Sequence, residues 1–249
     1  MRKFFLVTSL SILLFACKTQ NLLESKTKKS AAEQKQDAKD FAYNPKYEYK
    51  IRVDDKISIS VWGEDEFSVG SLYGIYNSNE VYGKWLMVDH NGNIELPKLG
   101  TTNVLGKTIP VLKTEIKDKL KKFLVNPIVD VKVLNKEITI LGEVRNPNVV
   151  QIDKDHVNLL EMISKTGGFE FYANLTKIKI LRQEGENVKI TNIDLTKDGD
   201  ILNKNIQLLP GDIVIVPSKK FKEFDKRIST IVPFTTTVTA AAVILGFFK

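Results

Sequence analysis

The sequence predicts an α+β chain: a mixed first domain, a β-grasp-like second domain and a C-terminal membrane helix. Three observations carry that reading. Apolar residues alternate in short runs at Ile57, Ile59 and Val61 and again at Val129, Val131 and Val133, the period of half-buried strands. Between those runs, Ile109, Leu112, Ile116, Leu120 and Phe123 recur at spacings of three and four, the period of a helix with one buried face. After them comes a second set of strand and helix signals, and then an uncharged stretch from Ile228 to Phe248.

In chain order, Tyr47 to Val61 reads as strand, turn, strand. Gly63, Gly70, Gly74 and Gly83, with Asn77 to Asn79, mark a loop or insertion. Trp85–Val88 and Ile94–Leu96 flank Asp89-His90-Asn91-Gly92, a hairpin signal. Thr108 stands where it can cap the helix, and Asn126-Pro127 is expected to end it. The second domain opens with a strand at Ile138 and Ile140 that runs into Gly142-Glu143-Val144. Asn158 and Glu161 form a capping-box pair ahead of Leu159, Leu160 and Ile163, and Gly167-Gly168 stops that helix. Lys177–Gln183 and Asn187–Leu195 form a hairpin around Glu184-Gly185, and Pro210-Gly211-Asp212 turns into a strand at Ile213–Val216. The order suits a small sheet crossed by one helix.

The ends differ in character from this body. Arg2 and Lys3 precede an uncharged run, Phe4–Phe15, too short to span a bilayer but suited to a secretory signal over residues 1–16. The single Cys, Cys17, follows Leu14 and Ala16. Residues 18–46 hold seven Lys and four Asp or Glu with few large apolar side chains, so 17–46 reads as a solvated tether. Seven of the nine residues from Lys219 to Arg227 are charged, and they introduce the uncharged stretch, giving a terminal segment 219–249. As a helix its 21 residues measure about 31 Å, near the thickness of a bilayer core. Phe234, Val238, Leu245 and Phe248 fall on one stripe, expected to face lipid. Thr235, Thr239, Ala242 and Gly246 fall on a small, mildly polar stripe, expected to line a pore or pack against a neighbouring helix. A single anchor, or a helix buried in a soluble domain, is the alternative.

Composition narrows the chemistry. The chain is net +7, with two His and one Cys in 249 residues. One Cys excludes an intrachain disulfide and a cysteine-zinc site, and two distant His give no support to a metal centre. No glycine-rich loop ending in Lys-Ser/Thr occurs, so a nucleotide site of that type is absent. Asp55 and Asp212 are candidates for a carboxylate pair. Each sits at a turn that launches a strand, where Asp more often satisfies turn N–H groups, so a structural role for Asp55, Gly211 and Asp212 is expected. Trp62 and Trp85 can stack on sugars or pack in a core. The reading is of a non-enzyme without cofactor or metal, and with no nucleic-acid partner.

In this setting Cys17 resembles the acylated Cys of a bacterial lipobox. The body, from Asp55 with Ile57-Ile59-Val61 through Asp89–Ile94, Pro97–Gly100, Gly106–Thr108 and Asn126–Val129, resembles the polysaccharide biosynthesis and export domain over 47–135. Gly142–Val144 with Pro147, Leu159-Leu160, Gly167-Gly168 and Pro210–Asp212 resemble the soluble-ligand-binding β-grasp (SLBB) module of the same family over 136–218. Asp54 stands where that family usually has Gly, and one β-grasp module is found where better-known capsule exporters carry more. The resemblance implies an outer-membrane lipoprotein with its body in the periplasm, exporting capsular or extracellular polysaccharide. It further implies a homo-oligomeric ring, outer-membrane lipid around C-terminal pore helices, and an inner-membrane export or polymerisation partner. The alternative is a lipid-tethered periplasmic glycan-binding or scaffolding module without a pore.

Overall fold

The computed structural model describes residues 41–69, 85–196, 206–226 and 228–229. They form a mixed α/β architecture with two hydrophobic cores. In the first core, strand β1 (Lys56–Val61) lies between β2 (Leu86–Met87) and β5 (Val129–Val133), antiparallel to both. Ile57 pairs with Val133 and Val61 with Val129, so the two alternating runs read from the sequence bury the same face. Helix α1 (Ile109–Leu120) covers that face with Leu112, Ile116 and Leu120.

Three local expectations are corrected in this domain. Tyr47–Ile51 forms no strand, making a single bridge from Lys50 to Thr108. The turn at Asp89–Gly92 exists, with the Asp89 carboxylate accepting from the N–H groups of Asn91 and Asn93. It does not close a hairpin, however, because β2 pairs with β1 while β3 (Asn93–Leu96) pairs with β4 (Gly100–Asn103) across Pro97–Leu99. Gly92 has φ +80°, and a Cβ there would sit 2.3 Å from that of Leu105, so the turn requires glycine. Finally, α1 ends at Leu120, six residues before Asn126, leaving Phe123 exposed and tilted against Phe67 at 5.9 Å. Thr108 does occupy the N-cap position, but its hydroxyl makes no capping bond and is buried without a partner. Pro110 at the second helical position has no N–H to offer it.

The second core lies under a five-stranded sheet, ordered β10 (Asn187–Ile193), β9 (Ile178–Glu184), β12 (Ile213–Val216), β6 (Glu137–Gly142), β7 (Asn148–Gln151). Strands β12 and β6 run parallel at its centre and the other pairs are antiparallel. Central β12 is buried along nearly its whole length, which suits the continuous Ile213–Val216 run, whereas its parallel partner β6 alternates and leaves Leu141 exposed. Gly142 has φ +96° in this pair, and a Cβ there would lie 2.0 Å from the Val216 carbonyl oxygen. Helix α2 (Leu159–Lys165) packs below the sheet through Leu159, Met162 and Ile163. The Asn158 side chain accepts from Glu161 N–H at 2.8 Å, one half of the expected capping box. The Glu161 carboxylate turns instead to Lys154, at 2.9 Å. A short ribbon of β8 (Val157–Asn158) and β11 (Gln207–Leu208) completes the domain.

The tether expectation needs one change. Phe41, 0% exposed, belongs to the second core, although the chain then passes through the whole first domain before returning to build it. Its carbonyl accepts from Gln207 N–H, and Asn44 N–H donates to the Gln207 side chain at 2.8 Å. Residues 41–46 are therefore part of the folded body. The expected signal, Cys17 and the helical stripes at Phe234, Thr235, Val238, Thr239, Ala242, Leu245, Gly246 and Phe248 lie outside the described residues. Among the described residues no helix is long and apolar enough to cross a membrane.

Candidate functional site at the domain junction

The two aspartates singled out from the sequence both lie at the join between the cores, each at the start of a strand. Asp55 is 6% exposed. Its carboxylate accepts from the Arg52 N–H at 2.8 Å and, with both oxygens, from the Tyr49 hydroxyl at 2.9 Å. Burial pushes its pKa above the ordinary carboxylate value, against the opposing pull of those two donors. Burial, reinforced by Asp55, pushes the Tyr49 phenol upward too, so the hydroxyl stays protonated and remains a donor.

Asp212 is 1% exposed and is held by a charge. Arg182 grips it with two parallel bonds, Nε to Oδ1 at 2.9 Å and a terminal nitrogen to Oδ2 at 2.8 Å. Leu209 N–H donates to the same carboxylate across the Pro210-Gly211 turn, at 2.8 Å. The guanidinium also donates to the Gln207 carbonyl and lies 4.3 Å over the Phe41 ring. Burial again raises Asp212, and Arg182 opposes it.

Arg52 ties the two turns together. Its backbone serves Asp55, while its side chain donates to the Pro210 carbonyl at 3.1 Å and lies over the Tyr49 ring. Lys136 adds a second tie: 4% exposed, it pairs with Asp155 at 2.9 Å and lies 5.6 Å from the Tyr49 ring centroid. The aspartates are thus neighbours in one scaffold, with their oxygens occupied by turn N–H groups, a phenol and a guanidinium. Gly211, at φ +90°, gives the second turn its shape and leaves room for Arg52. Sequence reasoning missed Phe41, Arg52, Lys136 and Arg182; a cation beside a turn carries no periodic signal.

Two open clefts flank this scaffold. One, of about 790 Å³, runs between the β5 end and residues 151–155, lined by Asp130, Lys132, Lys136, Asp153, Lys154 and Lys165 among others. The other, of about 710 Å³, is walled by residues 45–49, Ile109, Pro110, Asp155 and His156. Tyr43 packs 5.6 Å from the His156 ring at its edge. The first cleft mixes Lys and Asp side chains with aliphatic ones such as Val131, Val133 and Ile152, and the second sets Tyr47, Tyr49 and His156 beside Lys46, Glu48 and Asp155. Trp62, expected in a core or on a sugar, is 58% exposed beside Ile128 at the far end of β1, and Trp85 carries Lys56 over its ring. His90 and His156 are both exposed. Among the described residues no group of three or more His, Cys, Asp or Glu is placed to hold a metal ion.

Comparison with known proteins fits this geometry. Residues 43–134 match the polysaccharide biosynthesis/export protein family, and residues 136–216 match the SLBB domain. The EPS I polysaccharide export outer membrane protein EpsA of Ralstonia nicotianae is 29% identical over 185 residues, covering 69% of this chain and 48% of the relative. Its counterpart in Ralstonia solanacearum is 29% identical over 204 residues, covering 74% and 53%. The capsule polysaccharide export protein BexD of Haemophilus influenzae is 25% identical over 205 residues, covering 77% and 50%. The chain spans about half the length of these relatives.

Proposed function

We propose that this chain, a member of the polysaccharide biosynthesis/export family carrying an export domain followed by an SLBB domain, is an outer-membrane lipoprotein that exports capsular or extracellular polysaccharide. The observation that carries the proposal is the ordered pair of domains, shared with relatives named as polysaccharide export outer membrane proteins. The Arg52 bond to the Pro210 carbonyl and the contact of Lys136 with the Tyr49 ring, which join one domain to the other, support a rigid periplasmic body. Cys17 supplies the lipid anchor, and several acyl chains hold a membrane far more firmly than one.

In this proposal, copies of the chain close into a ring, and the Ile228–Phe248 segments form the pore wall. Phe234, Val238, Leu245 and Phe248 face lipid, while Thr235, Thr239, Ala242 and Gly246 face the lumen or a neighbouring helix. Rotational closure turns one helix per chain into a continuous wall whose backbone polar groups are satisfied internally. Transport is passive, with no bond made or broken by the chain, and an inner-membrane partner supplies polymer and driving force.

The test is the mass and shape of the detergent-extracted, lipidated protein beside a version ending at Arg227. A discrete ring that loses its membrane-inserted part on truncation is expected. A monomer unchanged by truncation would overturn the channel and leave a lipid-tethered binding module.

A further inference from the structure

Four large apolar side chains stand exposed together at one end of the second domain: Phe171 at 80%, Phe221 at 71%, Phe224 at 59% and Ile228 at 43%. Phe221, Phe224 and Ile228 are three and four residues apart, and the chain is helical at 222–226 and 228–229, so they share one helix face. The Phe171 segment is held beside the start of that helix by the Ala173–Ser218 bridge and the bond from Lys219 N–H to the Tyr172 carbonyl at 2.7 Å. Side chains lock the two parts together. Lys222 pairs with Glu143, Asp225 bonds the Tyr172 hydroxyl, and Lys219 donates to the Phe171 carbonyl at 3.3 Å. The aromatic cluster is therefore mounted on the folded domain, with no free linker between them.

We infer that this face, Phe171 with Phe221, Phe224 and Ile228, sits in the headgroup layer of an anionic phospholipid surface and fixes the second domain against the membrane. Two features select lipid over a protein partner. Residues 219–227 carry five Lys or Arg against two Asp or Glu, so the stretch that bears Phe221 and Phe224 is net positive, as anionic headgroups require. In sequence this helix is followed at once by Ile228–Phe248, a stretch without a charge. A large apolar patch mounted next to such a segment meets the bilayer wherever that segment enters it. The inference rests on the proposed insertion of Ile228–Phe248, and the test separates the two.

A nitroxide is placed at position 171, 221, 188 or 245 by Phe171→Cys, Phe221→Cys, Val188→Cys or Leu245→Cys in the full chain. The unsubstituted chain serves as the blank for Cys17. Each is reconstituted in vesicles of phosphatidylethanolamine and phosphatidylglycerol, and collision with oxygen, which enters lipid, is compared with collision with a water-soluble nickel chelate. Val188 is 52% exposed on β10 and reports the aqueous level. The expected result is an oxygen-to-nickel ratio several-fold higher at 171 and 221 than at 188. Ratios at 171 and 221 equal to that at 188, with a high ratio at 245, overturn the inference and leave the inserted helix standing. Shielding of 171 and 221 from both reagents also overturns it, since that is the mark of burial against a second copy of the chain. A high ratio at 171 and 221 with an aqueous value at 245 upholds the inference and removes the inserted helix.

Discussion

Asp55 and Asp212 sit at equivalent places in two domains, each buried in the turn that launches a strand, yet their oxygens are satisfied differently. Asp55 is held by neutral donors, one phenol and one backbone N–H. Asp212 is held by a guanidinium that is itself 8% exposed at its side chain, plus one N–H. A neutral cradle leaves little behind when the carboxylate is removed. A charged one leaves a buried cation with no counter-charge, and the second domain is therefore the more brittle of the two. The difference also fixes where the second domain closes: Arg182 draws Phe41 onto the Gln207–Asp212 segment, two stretches far apart in sequence.

The largest expected effect follows from that brittleness. Asp212→Ala should destabilise the second domain by about 3–5 kcal/mol, the usual cost of orphaning one partner of a buried ion pair. Replacing Arg182 together with Asp212 by apolar residues of similar volume should recover much of the loss. Denaturant unfolding followed by circular dichroism reads both, and a double variant no better than the single one would remove the orphaned charge as the cause.

Phe41→Ala comes next, at about 3 kcal/mol from lost burial and cavity formation. It should loosen the second domain and leave the first largely intact, although residue 41 precedes the first in sequence. Both tryptophans, Trp62 and Trp85, belong to the first domain, so their fluorescence should keep its midpoint while the circular dichroism midpoint falls. Equal shifts in the two signals would mean that the domains unfold as one unit.

Asp55→Asn is milder, about 1–2 kcal/mol for a disturbed hydrogen-bonded site without an orphaned charge. It also carries a pH signature. Burial raises the folded pKa of Asp55 above its ordinary 3.8. The folded state therefore binds the proton more tightly than the unfolded chain does. The stabilising contribution of this group is full below the ordinary value and is lost as pH rises through the raised one. The advantage of the parent chain over Asp55→Asn should accordingly shrink as pH rises above the ordinary carboxylate value and through the raised one in denaturant titrations. An advantage that grows with pH would mean that Tyr49 and Arg52 outweigh burial.

Where the signal is periodic and local, the sequence was enough. The faces of β1, β5 and α1, the β9–β10 hairpin and the Pro210–Asp212 turn all follow from spacing and turn chemistry within a few residues. The misses share a cause, which is competition between partners distant in sequence. Asn91-Gly92 makes its turn, but β1 outcompetes β3 for β2, so no hairpin forms. Phe123 keeps the helical spacing yet lies beyond the last turn, and Phe41 looks like one apolar residue in a polar tether until Arg182 and Gln207 are brought to it. At the candidate site the aspartates were legible as turn residues. Arg52 and Lys136, which join the domains, were not, since an isolated cation in a sequence looks like a solvated one.

Asp54 gives the smallest and sharpest test, because only the first of the two launching turns holds a strained non-glycine residue. Its φ is +67°, in the left-handed region, whereas the matching position before Asp212 is Gly211, at φ +90°. An Asp tolerates that region better than most side chains, but its Cβ still meets the backbone there. The Asp54 main chain is committed on both sides, its N–H to the Val88 carbonyl and its carbonyl to the Asn135 amide, so the residue cannot relax out of that conformation. Asp54→Gly relieves the steric cost and adds freedom to the unfolded chain, two opposing terms of about 1 kcal/mol each. The strain term should win narrowly, giving a gain of about 0.5 kcal/mol read as a raised unfolding midpoint of the tryptophan signal. Gly211→Asp in the second turn should go the other way and cost more, since a Cβ there lies 3.3 Å from the Arg52 guanidinium that joins the domains. If the two exchanges proved equal and opposite, backbone strain alone would govern both turns, and the Arg52 contact would add nothing to the second.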